Sequence, residues 1–458
     1  MQTFRLFLAL AGIVAVVALL IMKKDTKTVL IGVGLVLCVL CLKPLDGLGA
    51  FTSYMTKAGL IKAICASMGF AFVMKFTGCD RALVNLLTRP LGNIGFLLIP
   101  IVVALTYFIN IAIPSAAGCS AAVGATLIPV MMAAGVKPEM AGAAVFAGTF
   151  GGVLSPGSAH NVFVADMVKA HNPSYTVQDV IGVQFSSAVT ALIVVLIVIS
   201  ITAIVCKDYT KGVNFLAQRE NSAGADGASS TAASSAAANS ADGSNLDAQP
   251  QKLNILHALM PLVPLVILII GGTSKLNTIS FLKWTKMGVA EAMLLGAIVT
   301  IVITMTNPQK ITKEFFKGMG SAYADIMGII IAAGVFVAGL SACGAIDFVI
   351  EWLKNEQGYV KFGGTFVPFF MGVVTGSGDA ASMAFNTAVT VHADALGFEQ
   401  DKLGMAVAIS GALGRSASPI AGACIVCAGL AMVSPIQIAK RTALGMFISV
   451  CVIAFVIL

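Results

Sequence analysis

Apolar residues in this chain run in long blocks separated by short polar turns, without the strict alternation of a half-buried strand. The first block, Leu6 to Met22, follows Arg5 and ends in Lys23-Lys24. No small-residue cleavage site closes it and further apolar blocks follow at once, so it reads as a spanning helix and not as a leader. Further spanning candidates are Val29 to Leu42, Gly59 to Phe76, Ile94 to Ile113, Val180 to Cys206, Leu256 to Ile270, Met287 to Met305, Ile326 to Leu340, Thr365 to Val374 and Ala443 to Leu458. Several fall short of the roughly 20 residues a full crossing needs. The pattern predicts an all-α polytopic membrane protein.

Composition sharpens that reading. Hydrophobic residues make up 58% of the 458 and charged residues 11%, against about 45 to 50% and 25% in soluble domains. Too little polar surface remains for a soluble globule, and disordered or disulfide-scaffold classes fall with it. The net charge of +7 comes largely from short basic runs beside apolar blocks, such as Lys23, Lys24 and Lys27, or Lys310, Lys313 and Lys317. These are topological anchors under the positive-inside rule, and no nucleic-acid partner is expected. With the Lys23 to Lys27 turn in the cytoplasm, the N-terminus lies outside and Arg81 and Arg89 lie inside. The ten cysteines mostly sit in apolar stretches and read as buried free thiols. Cys424 and Cys427 form a CxxC with no second pair to complete a metal site, so no metal is expected.

Between Asn221 and Gln251 the composition turns to Ala, Ser, Gly, Asn and Asp. Such a segment cannot bury enough surface to offset its chain entropy. The expected organisation is a first transmembrane half over 1–206, a flexible linker over 207–255 and a second half over 256–458. The halves resemble one another. Phe150-Gly-Gly-Val-Leu-Ser155-Pro156-Gly-Ser158-Ala-His160-Asn161 stands opposite Leu413-Gly-Arg415-Ser416-Ala-Ser418-Pro419, and Pro114-Ser115 to Ser120 stands opposite Gly376-Ser377-Gly378-Asp379 to Ser382. Paired, interrupted hydrophobic segments in two halves point to a secondary transporter with its site between the repeats.

Breaks at Gly, Ser and Pro expose backbone groups that lipid cannot satisfy, so they survive only inside protein or beside a cavity. A half-helix starting at such a break turns its free N–H groups and positive dipole end toward that cavity, which suits an anion. Hydroxyls at Ser115, Ser120, Ser155, Ser158, Thr375, Ser377, Ser382, Ser416 and Ser418 add donors, although capping and small-residue packing would explain any one of them. Arg415 stands in an apolar stretch beside Ser416 and is the sharpest candidate, because guanidinium can hold a carboxylate through two parallel bonds. Its structural alternative is a pair with Asp379. Asp379, with Asn386 and Thr387, is the candidate site for a coupling Na+ or H+; the plainer role for Asp379 is helix capping. Asp325 and Glu291 are further candidate proton relays, and His160 beside Asn161 could titrate near neutral pH.

Thr375-Gly-Ser-Gly-Asp379, Leu413-Gly-Arg415-Ser-Ala-Ser418-Pro419, Ser434-Pro435 to Lys440-Arg441-Thr442, and Met319 to Asp325 leading into Ala332 to Phe336 resemble the anaerobic C4-dicarboxylate carrier family. The resemblance is strong from about Gly318 to Leu444. It implies an inner-membrane carrier that exchanges or co-transports succinate, fumarate, malate and aspartate. It also implies membership of an ion transporter superfamily in which paired re-entrant hairpins carry substrate by an elevator motion. Two inverted halves, each with spanning and broken helices, follow from it. So does a substrate cradle at Ser115 to Ser120, Thr375 to Asp379 and the Ser155-Pro156 and Ser418-Pro419 breaks; with the residues singled out above, the candidate set is Ser115, Ser120, Ser155, Ser158, Asn161, Thr375, Ser377, Gly378, Asp379, Arg415, Ser416 and Ser418. No cofactor is expected beyond a coupling ion; the partners are a small dicarboxylate and the bilayer, with a homodimer left open as the assembly. Asp379 departs from the family pattern, which keeps an amino-acid or tricarboxylate carrier as the alternative. An intramembrane hydrolase using serine and His160, or a channel, would be a different class, and the absence of GxxxxGK[ST] argues against an ATP-driven pump. Deleting about half of Asn221 to Gln251 is expected to leave membrane insertion and succinate uptake unchanged, since shortening a flexible tether changes chain entropy little; an uptake assay on inserted protein checks it.

Overall fold

The computed structural model describes residues 2–22, 24–88, 95–215, 255–272, 285–345, 348 and 357–457. The Ala/Ser-rich segment 221–251, Lys23 and Arg89 lie outside the described residues. In chain order the helices are α1 (Gln2–Ile21), α2 (Thr26–Leu40), α3 (Pro44–Met55), α4 (Ala58–Thr77), α5 (Cys79–Thr88), α6 (Leu98–Ala112), α7 (Ala116–Ala133), α8 (Pro138–Gly148), α9 (Ala159–Val168) and α10 (Val177–Val205). After the gap come α11 (Ile255–Leu259), α12 (Val263–Gly272), α13 (Val289–Thr304), α14 (Pro308–Ala322), α15 (Gly328–Ala342), α16 (Gln357–Thr375), α17 (Gly378–Ala388), α18 (Gln400–Arg415), α19 (Gly422–Ala431) and α20 (Pro435–Val452). Among the described residues the one strand-like pairing is an isolated bridge between Val136 and Tyr209.

Local chemistry starts these helices where the turns fall. Proline occupies the first turn of α3, α8, α14 and α20, where its missing N–H costs nothing. Capping boxes open both α10, through Thr176 and Asp179, and α20, through Ser434 and Gln437. A π turn over Tyr323–Met327 joins α14 to α15 in one continuous helical run, Pro308–Ala342. Seven helical runs among the described residues are long and apolar enough to cross a membrane. The run Pro138–Val168 is buried from Met140 to Ala165, so other helices must surround it. Large apolar side chains such as Phe7, Ile197, Val302 and Phe455 point outward, as a lipid-facing surface requires.

Two packed regions result. One core draws on α6 to α8 and α10 together with α18 to α20, so both halves of the chain build it. The other is assembled from α4, α9, α13 and their neighbours, with smaller clusters where α1, α2 and α15 meet. Registers follow from close contacts. Lys27 meets Gly328, Gly34 meets Phe336, Leu37 meets Gly339 and Cys41 meets Cys343, so α2 and α15 run parallel. Gly445 packs on Val195 and Val198 while the Ser449 hydroxyl donates to the Ala191 carbonyl, so α10 and α20 are antiparallel. Met68 faces Gly318 and Gly69 faces Phe315, which sets α4 antiparallel to α14.

Two expectations about segment limits are corrected. The linker does not begin at 207: Lys137 donates its N–H to the Asp208 carbonyl, Thr210 donates to the Gly135 carbonyl, and Asp208 is 0% exposed. Ile255, placed at the linker's other end, already lies in α11. Helices α7, α8, α9, α18 and α19 were not among the spanning candidates, because their small and hydroxyl residues dilute the apolar signal.

Asp208 is held by Arg441, whose Nε donates at 2.7 Å and Nη2 at 3.0 Å, with Lys137 Nζ 3.7 Å away. This fork ties the end of α10 to α20 across the halves. Removing one partner from a buried pair strands the other charge, at a cost of about 3 to 5 kcal/mol. Arg441→Leu is therefore expected to lower the thermal midpoint of the detergent-purified protein strongly, whereas Lys402→Leu, which removes an exposed pair with Glu399, should leave it nearly unchanged.

Candidate functional site

Two helix pairs stop short and turn inside the fold. Between α6 and α7 the chain breaks at Ile113-Pro114-Ser115, and the Ser115 hydroxyl caps α7 by accepting the Gly118 N–H at 3.2 Å. Between α16 and α17 it breaks at Gly376-Ser377, and the Ser377 hydroxyl caps α17 through Ala380 N–H at 3.2 Å. Gly376 adopts a positive φ of 70° and sits against Ala421, where a side chain would collide. Capping thus belongs to Ser377 and not to Asp379.

The second kind of break lies within otherwise continuous helices. From Thr149 to Leu154 the chain tightens into 3-10 geometry, then crosses Ser155-Pro156 before α9 begins. Tightened turns inside a helix strand backbone groups, and here buried amides satisfy them. Asn110 Oδ1 accepts the Gly152 N–H at 2.6 Å, and its Nδ2 donates to the Ile113 carbonyl at 2.8 Å. Asn161 Nδ2 donates to the Val153 carbonyl at 2.6 Å and to the Ser155 carbonyl at 2.9 Å. Gln184 donates to the Val153 carbonyl and, at 2.9 Å, to Asn161 Oδ1. Asn161 was a sequence candidate. Asn110 and Gln184 were missed, although an amide inside an apolar run was the available signal.

Arg415 completes the same break from the other half. Its Nη2 donates to the Thr149 carbonyl at 2.7 Å and Nη1 to the Thr149 hydroxyl at 3.2 Å. A guanidinium at the C-terminal end of α8 also meets the negative end of that helix's dipole. The direct Arg415–Asp379 pair considered from sequence is not formed. Asp379 Oδ1 instead lies 3.1 Å from His160 Nδ1, and the Ser158 hydroxyl lies 2.9 Å from His160 Nε2 and 3.1 Å from Nδ1. The His160 side chain is 8% exposed and that of Asp379 41%, so the carboxylate is the open end of the chain. Serine, histidine and aspartate do line up, but the hydroxyl faces the ring edge near both nitrogens, not one of them.

The remaining candidates divide. Ser416 has a buried hydroxyl with no hydrogen-bond partner, and Ser120 has only the Cys427 thiol close to its hydroxyl. Ser418 accepts the Ile420 N–H at 3.4 Å, Thr375 donates back to the Met371 carbonyl at 2.7 Å, and Ser382 donates to the Val407 carbonyl at 3.3 Å. Gly378 packs against Gly411 and Ala412. Asn386 Oδ1 accepts from the Thr390 hydroxyl at 2.7 Å while its buried Nδ2 has no partner, and Thr387 donates to the Met383 carbonyl at 2.7 Å. Asp325, expected as a relay, is exposed and lies 3.6 Å from Lys27; Glu291 is exposed at the start of α13. A narrow crevice of about 20 Å3 opens at the first break, lined by Ser67, Pro114, Ser155, Pro156, Pro264 and Met293 among others. It admits one water-sized body. Of the serines named from sequence, Ser155 lines it; Ser115, Ser377 and Ser418 do not.

The amides carry the break, and a buried backbone carbonyl or N–H left with no partner costs about 1 to 3 kcal/mol. Asn161→Leu and Gln184→Leu are each expected to lower the thermal midpoint modestly, because the Val153 carbonyl keeps its other donor, and the double variant, which leaves that carbonyl without a side-chain donor, is expected to lose more than the sum of the singles.

The family model described as C4-dicarboxylate anaerobic carrier matches residues 47–458. A Haemophilus influenzae protein described only as an uncharacterized transporter is 46% identical over 312 residues, covering 67% of this chain and 100% of its own. The anaerobic C4-dicarboxylate transporter DcuC of Escherichia coli is 25% identical over 411 residues, covering 86% of this chain and 78% of its own. The solved structure of Neisseria gonorrhoeae MtrF, described with a class of antimetabolite efflux pumps, shares the fold at a TM-score of 0.56 and 11% identity, over 90% of this chain and 84% of its own.

Proposed function

The chain belongs to the C4-dicarboxylate anaerobic carrier family, and from that membership we propose that it moves C4-dicarboxylates such as succinate, fumarate, malate and aspartate across a bacterial inner membrane as a secondary carrier. The family is one of transporters and not of enzymes, so the Ser158–His160–Asp379 line is read as part of a transport site. The observation that carries the proposal is Arg415, an intramembrane guanidinium held by one backbone carbonyl and one hydroxyl beside the partnerless Ser416 hydroxyl. Those bonds are replaceable, and a carboxylate is the better acceptor for the guanidinium fork.

The two halves are proposed to be inverted repeats moving as an elevator. Supporting this, α6–α7 and α16–α17 are both serine-capped helix pairs, α8–α9 and α18–α19 are both broken, and the matching helices α10 and α20 are antiparallel. Binding a dicarboxylate requires the crevice to widen, as relative motion of the two packed regions would do. Pairing of Asp379 with His160, and the engagement of Asn386 and Thr387 elsewhere, favour a proton over Na+ as coupled ion. The exposed Asp379 carboxylate also favours a second reading, a substrate carrying an ammonium group beside its carboxylates, with aspartate preferred to succinate.

Counterflow of labelled succinate in proteoliposomes tests the class: a carrier is stimulated by substrate on the opposite side, a channel is not. Arg415→Lys keeps the charge and loses the planar fork, so succinate affinity is expected to fall by about 1 to 3 kcal/mol, measured by competition for counterflow. Unchanged affinity in Arg415→Gln would make the residue structural.

A further inference from the structure

We infer that Cys41 and Cys343 form a disulfide bond at the outer face of the membrane. Their sulfurs lie 2.8 Å apart although 302 positions separate them in sequence. A disulfide is about 2.05 Å long, so a small closing movement makes the bond. Cys41 is the C-terminal cap of α2 and Cys343 that of α15. The two helices run parallel with a constant register from Lys27 and Gly328 to this pair, so both thiols sit at the same end of the packed pair. Cys41 is 4% and Cys343 2% exposed, inside a cluster with Ala9, Leu37 and Leu340. Exchange therefore precedes the final packing of these helix ends.

Charge assigns the face. Lys24 and Lys27 stand at the start of α2, and Lys310, Lys313 and Lys317 stand at the far end of the α14–α15 run from Cys343. Those five lysines outnumber Lys43 and Arg5, the basic residues near the cysteine end, and the more basic end faces the cytoplasm, which leaves Cys41 and Cys343 at the opposite, external end. That compartment is oxidising in bacteria, and structural disulfides persist there. The oxidant is a protein or small-molecule disulfide: one thiolate attacks its sulfur, the second Cys resolves the mixed disulfide, and two electrons and two protons leave as two thiols on the exchange partner. Cys38, one turn before Cys41 on α2, is fully buried in the same cluster and is expected to remain a thiol. The bond staples α2 to α15, away from the broken helices.

Thiol mapping of the full chain in membranes from a bacterial host tests this. Free thiols are blocked with N-ethylmaleimide in denaturing detergent, disulfides are then reduced, and the released thiols are labelled with iodoacetamide before mass spectrometry. Cys41 and Cys343 are expected to carry the second label and Cys38 the first. In Cys41→Ser, Cys343 is expected to switch to the first label, and reductant is expected to lower the melting temperature of the wild type only. Maleimide on both Cys41 and Cys343 of the wild type would overturn the proposal, as would recovery of a Cys38–Cys41 linked peptide. The wild-type map stands whether or not the variant folds.

Discussion

Backbone amides inside a bilayer have no water to turn to, and that constraint organises this molecule. An unbroken helix meets it without help. A helix that breaks in mid-membrane must borrow partners, and the break from Thr149 to Ser155 borrows them from four places: Asn110 on α6, Asn161 on α9, Gln184 on α10 and Arg415 on α18. The helices supplying those side chains are the ones that must surround the break, which accounts for the burial of the chain from Met140 to Ala165. Satisfaction of one irregular segment thereby determines which elements pack together.

Charge is handled under the same constraint. Three charge-bearing side chains are each held by a specific partner: Asp208 with Arg441, His160 with Asp379, Arg415 with Thr149. Each of these links joins the first half of the chain to the second. Apolar packing alone would let the halves settle in several registers, since small residues pack alike at neighbouring positions; a forked guanidinium–carboxylate contact accepts one arrangement. The Asp208–Arg441 link closes the end of α10 onto α20, whereas the links at the breaks involve a partly exposed carboxylate and a guanidinium bonded to neutral groups. One is suited to holding, the others to exchanging partners.

The family and the membrane class were legible in the chain because they depend on local quantities: block hydrophobicity, the spacing of Ser-Pro and Gly-Ser breaks, and the basic residues flanking apolar runs. Ser115 and Ser377 could be read as helix starts for the same reason, since a cap acts within one turn. Asp379 was assigned the cap that Ser377 makes, because both residues are good caps and only the backbone at 377 is extended. Helices α7, α8, α18 and α19 escaped notice since Gly, Ala and Ser lower hydropathy, yet these residues are what allow close approach: a side chain at Gly151 or Gly414 would collide with the backbone of Tyr107 or Phe369.

By itself the sequence determined that the chain is a helical membrane protein with an arginine and a carboxylate beside apolar stretches and with polar breaks, all of which follow from side-chain chemistry and short-range spacing. Tertiary structure decided the partners. That His160 meets Asp379 across 219 positions, that Arg415 reaches Thr149 across 266, and that Cys41 touches Cys343 across 302 follows from which helices lie side by side and in which direction. No local preference encodes those distances, because each is set by the packing of whole helices and by the need to leave no buried backbone group unpaired.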